Sequence, residues 1–256
     1  MRDIAYPPII VAAKTGFRVL GQKIDLVGTE RVPRSGGVLL AYNHIGYVDF
    51  VYGGLAANPS GRLVRFMAKR ELFDHRVTGP IMRSCHHIEV DRADGEKSFS
   101  DAVEYLKAGE AVGIFPEATI SRAMELKEFK TGAVRIAAAA GVPLIPVVMW
   151  GTQRMMTKDH PRDFSRGKPI ALRVGSPMYP SGEDPVAETA ALRAAMSALL
   201  EDVIDAYPAD EQPPGCWWLP QRLGGSAPTL KQAAQMDAEE KRQRAERRAA
   251  RRAAES

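Results

Sequence analysis

The sequence predicts an α/β fold with a mostly parallel central sheet flanked by helices, an amphipathic N-terminal helix before it and a charged helical C-terminal tail after it. Three observations predict this. Short apolar runs alternate with stretches of helical periodicity through residues 22–207, the pattern of strands joined by helical crossovers. A length of 256 residues suits one main domain with a full core. A composition of 45% hydrophobic and 26% charged residues is that of a globular chain, which excludes wholesale disorder, collagen and coiled coil.

Ile9 to Leu20 is an apolar stretch in which Lys14 and Arg18, four apart, share one helical face, with Pro7-Pro8 in front and Gly21 behind. A helix of about twelve residues is too short to cross a bilayer. It suits either a lipid interface or packing on its own domain, and residues 1–21 are read as a separate amphipathic unit. Strands are expected at Lys23–Val27, Gly37–Tyr42, Leu63–Ala68, His87–Val90, Ala111–Phe115, Leu144–Trp150 and Ile170–Val174. Between them, helices are expected at Val48–Ala57, Glu96–Lys107 and Thr131–Ala140, the last stopped by Gly141 and Pro143. Pro185 opens a long helix that reaches Tyr207, beyond which Pro208, Pro213 and Pro214 prevent its continuation. Residues 208–230 carry Cys216-Trp217-Trp218-Leu219-Pro220, a dense aromatic knot that suits either the domain surface or a membrane interface. No internal repeat is present.

Charge is unevenly placed. The net charge of +4 includes a tail, residues 231–256, in which eight Lys or Arg against five Asp or Glu give +3. Residues 1–230 then carry only +1, so the folded part lacks the basic face that nucleic-acid binding needs. The tail is rich in helix formers and poor in large apolar residues, fitting either a solvated helix or attraction to anionic lipid head groups. Two cysteines, Cys85 and Cys216, make neither a disulfide scaffold nor a cysteine-rich zinc site. With no apolar run of about eighteen residues and no secretory leader, the expected location is peripheral, on the cytoplasmic face of the cell membrane.

The chemistry concentrates in Asn43-His44-Ile45-Gly46-Tyr47-Val48-Asp49, where a strand ends and a helix begins. That junction is the usual position for a site in an open α/β sheet. A second His and Asp at the same spacing, His86 and Asp91, falls on an extended segment that would point the two side chains to opposite faces. A regular helix also separates residues five apart, by about 140°. Only a His in a turn ahead of the helix, with Asp in its first turn, lets the ring meet the carboxylate, and Gly46 supplies that turn. Asp49 would then fix the imidazole tautomer so that the other ring nitrogen takes a proton from a hydroxyl. A structural His near a helix start is the alternative. No Gly-x-Ser-x-Gly elbow offers a nucleophile, which favours direct attack by a substrate hydroxyl.

Three further blocks follow in order: Glu89-Val90-Asp91-Arg92, Phe115-Pro116-Glu117-Ala118-Thr119-Ile120-Ser121-Arg122 and Val142-Pro143-Leu144-Ile145-Pro146. With His44 and Asp49 they resemble the glycerolipid acyltransferase family, whose best-known members are the 1-acylglycerol-3-phosphate acyltransferases. The resemblance covers about residues 22–180 and extends to Ala68-Lys69-Arg70-Glu71-Leu72 and Phe129-Lys130-Thr131-Gly132. It implies His44 as catalytic base, Asp49 as its orienting partner and Glu117 as a carboxylate binding a glycerol hydroxyl. Arg92 and Lys69 would face the acceptor phosphate, and Thr119 and Lys130 complete the implied substrate-binding set. The family usually reads Phe-Pro-Glu-Gly-Thr-Arg-Ser, whereas this chain has Ala118 for the glycine and Ile120 for the arginine. Arg122, Lys127 or Lys130 would have to replace that cation, or the acceptor differs.

The resemblance thus implies transfer of a fatty acyl group from acyl-coenzyme A or acyl-carrier protein to the free hydroxyl of 1-acylglycerol 3-phosphate, giving phosphatidic acid. Backbone N–H groups near the helix start would stabilise the oxyanion. No cofactor and no metal are expected. The partners are the acyl donor, the lysophospholipid acceptor and a membrane surface, with no nucleic acid. Acylation of another acceptor and a catalytically silent lipid-binding protein are the alternatives.

Overall fold

The computed structural model describes residues 3–91 and 95–254. Seven strands form one sheet: β1 (Lys23–Val27), β2 (Val38–Tyr42), β3 (Val64–Lys69), β4 (Ile88–Val90), β5 (Ala111–Ile114), β6 (Leu144–Trp150) and β7 (Pro169–Val174). Their order is β1-β7-β6-β2-β5-β3-β4. Every neighbouring pair is parallel except β6 with β7. The helices are α1 (Tyr6–Val19), α2 (Asp49–Ala57), α3 (Arg70–Asp74), α4 (Thr78–Ser84), α5 (Gly95–Lys107), α6 (Gly132–Ala140), α7 (Pro185–Asp205) and α8 (Leu230–Ala254). The expected mostly parallel α/β architecture is the one observed.

The central strand shows why the sheet is covered on both sides. All five residues of β2 are buried. Because successive side chains alternate faces, Leu39 and Ala41 enter one apolar layer while Val38, Leu40 and Tyr42 enter the other. The first layer is closed by α5, α6 and α7, through residues such as Leu106, Ile136 and Met196. The second is closed by Phe17 of α1 and by Tyr52, Ala56 and Ala57 of α2.

α1 packs on its own domain. Phe17 stacks on Tyr52 with centroids 4.6 Å apart, and the Tyr6 hydroxyl donates to Val64 O at 2.7 Å. The helix starts earlier than the expected Ile9 because Pro7 and Pro8 occupy the first turn, where a missing N–H costs nothing. α3 and α4 were not expected from periodicity, being too short to display it. β4 begins at Ile88 rather than His87, since His86 turns the chain with φ +54°. Asp91 pairs with Arg70 at 2.7 Å, so the second His and Asp of like spacing form no catalytic couple.

The Trp knot folds back on the domain. Trp217 stacks on His160 with centroids 3.7 Å apart, Trp218 lies against the Arg154 guanidinium, and Cys216 and Leu219 enter the core. α8 divides into two parts: Ala233 is buried and Asp237 and Glu240 are ion-paired to the body, whereas residues 241–247 are exposed. No helix among the described residues is long and apolar enough to cross a membrane.

Candidate active site

Because β2, β3, β4, β5 and β6 run in one direction, their carboxyl ends share one edge of the sheet. His44 leaves β2 there, Glu117 follows β5, Lys69 ends β3 and Thr152 follows β6. Asn43 aligns the exits of β2 and β6. Its side chain donates to Met149 O at 3.0 Å and accepts from Met149 N at 2.8 Å.

His44 Nδ1 lies 2.9 Å from Asp49 Oδ2. A carboxylate oxygen accepts, so Nδ1 carries the proton and Nε2 presents a lone pair. The Asp49 side chain is fully buried while that of His44 is 22% exposed, so the imidazole reaches solvent and its partner does not. Asp49 is gripped by three more donors. Oδ2 accepts the amides of Ile45 at 2.7 Å and Gly46 at 2.8 Å, and Oδ1 accepts the Thr152 hydroxyl at 2.6 Å. A Cβ on Gly46 would stand 3.1 Å from Met156 O, so this turn is tight as well as bent. The imidazole also rests on the Phe115 ring, centroids 4.3 Å apart.

Glu117 braces the same turn from behind. Its Oε1 accepts the His44 amide at 2.8 Å and its Oε2 accepts the Lys127 amide at 3.0 Å. Burial pushes its carboxyl up to about 7, against the pull of those two amides and the Lys127 ammonium. The Ser121 amide donates to His44 O at 2.7 Å, closing the loop after β5 onto the turn that carries His44. The amides of residues 44–46 are committed to Glu117 and Asp49, and that of Tyr47 to Met156 O at 2.8 Å. These hydrogen bonds fix the turn that carries His44 and orient its imidazole.

The other expected site residues lie at different depths. Thr119 accepts from Lys127 Nζ at 2.6 Å. Lys130 is exposed, and its amide donates to Pro116 O at 3.0 Å. Lys69 is exposed at the end of β3, two strands from β2, a lateral separation of about 10 Å. Arg92 lies outside the described residues. Ala118 takes φ +60°, the left-handed conformation that glycine adopts freely, and Ile120 turns inward, 4% exposed. Arg122 pairs with Asp159 and Asp237, and Lys127 and Lys158 also reach Asp237. Sequence reasoning missed Thr152, Thr157, whose hydroxyl donates to Ile45 O at 2.6 Å, and Lys158. Among the described residues no group of three His, Cys, Asp or Glu side chains is placed to hold a metal ion.

A profile of the Acyltransferase family matches residues 23–150, from the first strand to the end of the sixth. The chain belongs to this acyltransferase family. The matched segment holds His44, Asp49 and Glu117, the three residues that the geometry joins. Among relatives, the chain is similar to the 1-acyl-sn-glycerol-3-phosphate acyltransferase of Bacillus subtilis, 31% identical over 77% of this chain and 94% of that one. It is also similar to the chloroplastic 1-acyl-sn-glycerol-3-phosphate acyltransferase BAT2 of Brassica napus, 29% identical over 70% of this chain and 52% of that one. The crystal structure of the 1-acyl-sn-glycerophosphate (LPA) acyltransferase PlsC from Thermotoga maritima superposes with a TM-score of 0.66. The identity there is 22%, covering 79% of this chain and 80% of the other, so this likeness concerns the fold.

Proposed function

We propose that this acyltransferase esterifies the free hydroxyl of 1-acylglycerol 3-phosphate, with acyl-coenzyme A or acyl-carrier protein as donor. The observation that carries the reading is the couple between a solvent-reaching imidazole and a fully buried carboxylate, 2.9 Å apart. His44 Nε2 removes the hydroxyl proton as the oxygen attacks the thioester carbonyl. The resulting imidazolium is stabilised by Asp49. Collapse of the tetrahedral intermediate breaks the C–S bond, forms the ester and expels a thiolate, which recovers the proton from His44. Proton and charge balance without an enzyme-bound ester.

Glu117 acts in this reading through its hold on the His44 amide as well as through any contact with the glycerol. Tyr47 and Phe50, each 44% exposed at the start of α2, offer apolar contact to an acyl chain or lipid surface beside His44. The names of the relatives support the acceptor assignment. The test is incubation of purified protein with labelled palmitoyl-coenzyme A, or palmitoyl-carrier protein, and a panel of lysolipids including glycerol 3-phosphate. Phosphatidic acid as the main product supports the reading, and ester formation only on an acceptor lacking phosphate overturns it. His44→Ala should abolish turnover with the fold intact.

A further inference from the structure

Beside the catalytic turn, three cations meet three carboxylates. Arg122 is 7% exposed and pairs with Asp159, with Asp237 and, at 3.0 Å, with Glu240. Lys127 pairs with Asp237, and Lys158 reaches Asp237 at 3.0 Å and Glu240 at 3.2 Å. Two of the three carboxylates come from α8. The cluster touches the reaction centre at several points: Ser121, next to Arg122, donates to His44 O, the Lys127 amide holds Glu117, and Thr157, next to Lys158, donates to Ile45 O.

α8 is built to deliver these carboxylates. Thr229 and Gln232 form a reciprocal cap: the Thr229 amide donates to Gln232 Oε1 at 2.8 Å and the Gln232 amide to Thr229 Oγ1 at 3.3 Å. From that fixed start Ala233, Asp237, Glu240 and Arg244 lie along one stripe, at helical spacings of four, three and four. Ala233 is buried, and Asp237 and Glu240 tie this helical stretch to the body by ion pairs. The exposed part beyond it carries Lys241, Arg242, Arg244 and Arg247, which favour an anionic surface.

We propose that Arg122, Lys127 and Lys158 form a binding site for a phosphate monoester, and that α8 occupies this site in the free protein as a built-in anionic competitor. With α8 lifted, three cations and the remaining Asp159 leave a local charge of +2. The two α8 carboxylates carry −2, close to the roughly −1.5 to −2 of a phosphate monoester at neutral pH. One occupant can therefore replace the other without leaving an uncompensated charge. Arg122 adds a planar fork suited to two phosphate oxygens. The assignment rests on the acceptor reading above, in which phosphate and reacting hydroxyl stand on adjacent carbons, so their sites must adjoin. It also gives a place to the cation that Ile120 does not supply.

The test measures equilibrium binding of monomeric 1-oleoylglycerol 3-phosphate, uncharged 1-oleoylglycerol and inorganic phosphate to the full chain, without acyl donor. Asp237→Asn/Glu240→Gln should tighten binding of the lysophosphatidate by about tenfold or more, through charge-assisted bonds no longer contested. Binding of 1-oleoylglycerol should stay unchanged, and Lys158→Gln added to the pair should remove most of the gain. Tightening for lysophosphatidate alone assigns the site to the lipid, and tightening for inorganic phosphate as well assigns it to the phosphate group itself. Equal affinity in wild type and double variant, or equal tightening for the uncharged lipid, overturns the proposal. Should the double variant fold poorly, hydrogen exchange of wild-type amides 233–244 decides: saturating lysophosphatidate should accelerate it, and unchanged exchange refutes displacement of α8. Because no donor is present, a positive result alongside absent acyl transfer would sink the enzymatic reading and leave the anion site standing.

Discussion

Replacing Asp49 by Asn tests the catalytic reading at its narrowest point, since the two side chains have the same shape. An Asn at this position has two orientations. With its nitrogen toward the turn, it would oppose the amides of Ile45 and Gly46 and the Nδ1–H of His44, three donors facing a donor. With its oxygen there, those three bonds persist, and the NH2 group meets Thr152, whose hydroxyl rotates from donor to acceptor. The second orientation wins, so Asp49→Asn keeps the fold and the ring position and removes only the negative charge. A unit charge about 4 Å from an imidazolium, at an effective dielectric near 20, is worth about 4 kcal/mol, hence a fall in kcat of about a thousandfold. KM for both substrates should change little, because neither touches this carboxylate in the proposed mechanism. The assay is thiol release from palmitoyl-coenzyme A with saturating acceptor, with thermal unfolding measured alongside. A folded variant retaining kcat within tenfold of wild type would refute the role of Asp49. Thr152→Val in the Asn background orphans the amide NH2 and should cost a further 1–3 kcal/mol or so of stability, measured by urea unfolding.

Three further outcomes follow from the same residues. Glu117 has its carboxyl raised from the ordinary 4.5 to about 7 by burial, so the native state holds an extra proton between those values; its contribution to stability is full below about pH 4.5 and falls by roughly 3 kcal/mol as pH rises through 7. Glu117→Gln should lack that fall in urea titrations at pH 5 and 8, and parallel profiles for both proteins would contradict it. His87 is the opposite case: burial, with Arg65 nearby, lowers it from 6.5 to about 4, and its Nδ1 accepts the Phe66 amide at 3.0 Å. Its contribution is complete above pH 6.5 and is lost as pH falls through 4, again roughly 3 kcal/mol, and His87→Gln should remove that loss from the acid unfolding curve. Ala118→Gly should stabilise by about 0.5–1 kcal/mol, since relief of the left-handed alanine exceeds the added freedom of the unfolded chain; a urea midpoint at or below that of wild type would contradict the strain.

The His44–Asp49 couple was legible in the sequence because both members lie within one strand-to-helix turn, and the geometry of strands and helices excludes other ways for residues five apart to meet. Glu117 was legible only through its block. Thr152 was not, since it meets Asp49 across 103 positions and the contact exists only because β6 lies beside β2. The short α3 and α4 carry too few residues to establish a period. α8 misled for another reason: an acidic and basic helix reads alike whether solvated or docked. Its overlooked signals were the Thr229-x-x-Gln232 cap and the stripe from Ala233 through Asp237 to Glu240. Lys69 reached the expected edge of the sheet, but two strands away from the turn that carries His44.

The altered block after β5 is a rearrangement of charge more than a loss of it. Ala118 makes the left-handed turn, Thr119 receives the Lys127 ammonium, Ile120 points into the protein and Arg122 is buried among Asp159, Asp237 and Glu240. Position 120 is thus an apolar position in this chain. Restoring arginine there would put a guanidinium at a place only 4% exposed, while Arg122 still held Asp159 and the α8 acids. Ile120→Arg should therefore cost about 3 kcal/mol or more in stability and leave affinity for lysophosphatidate no better. Urea unfolding and equilibrium binding measure the two consequences. A stable variant that binds the acceptor more tightly would mean that the loop accommodates the cation at position 120 after all, and that Arg122 is not the group the phosphate needs.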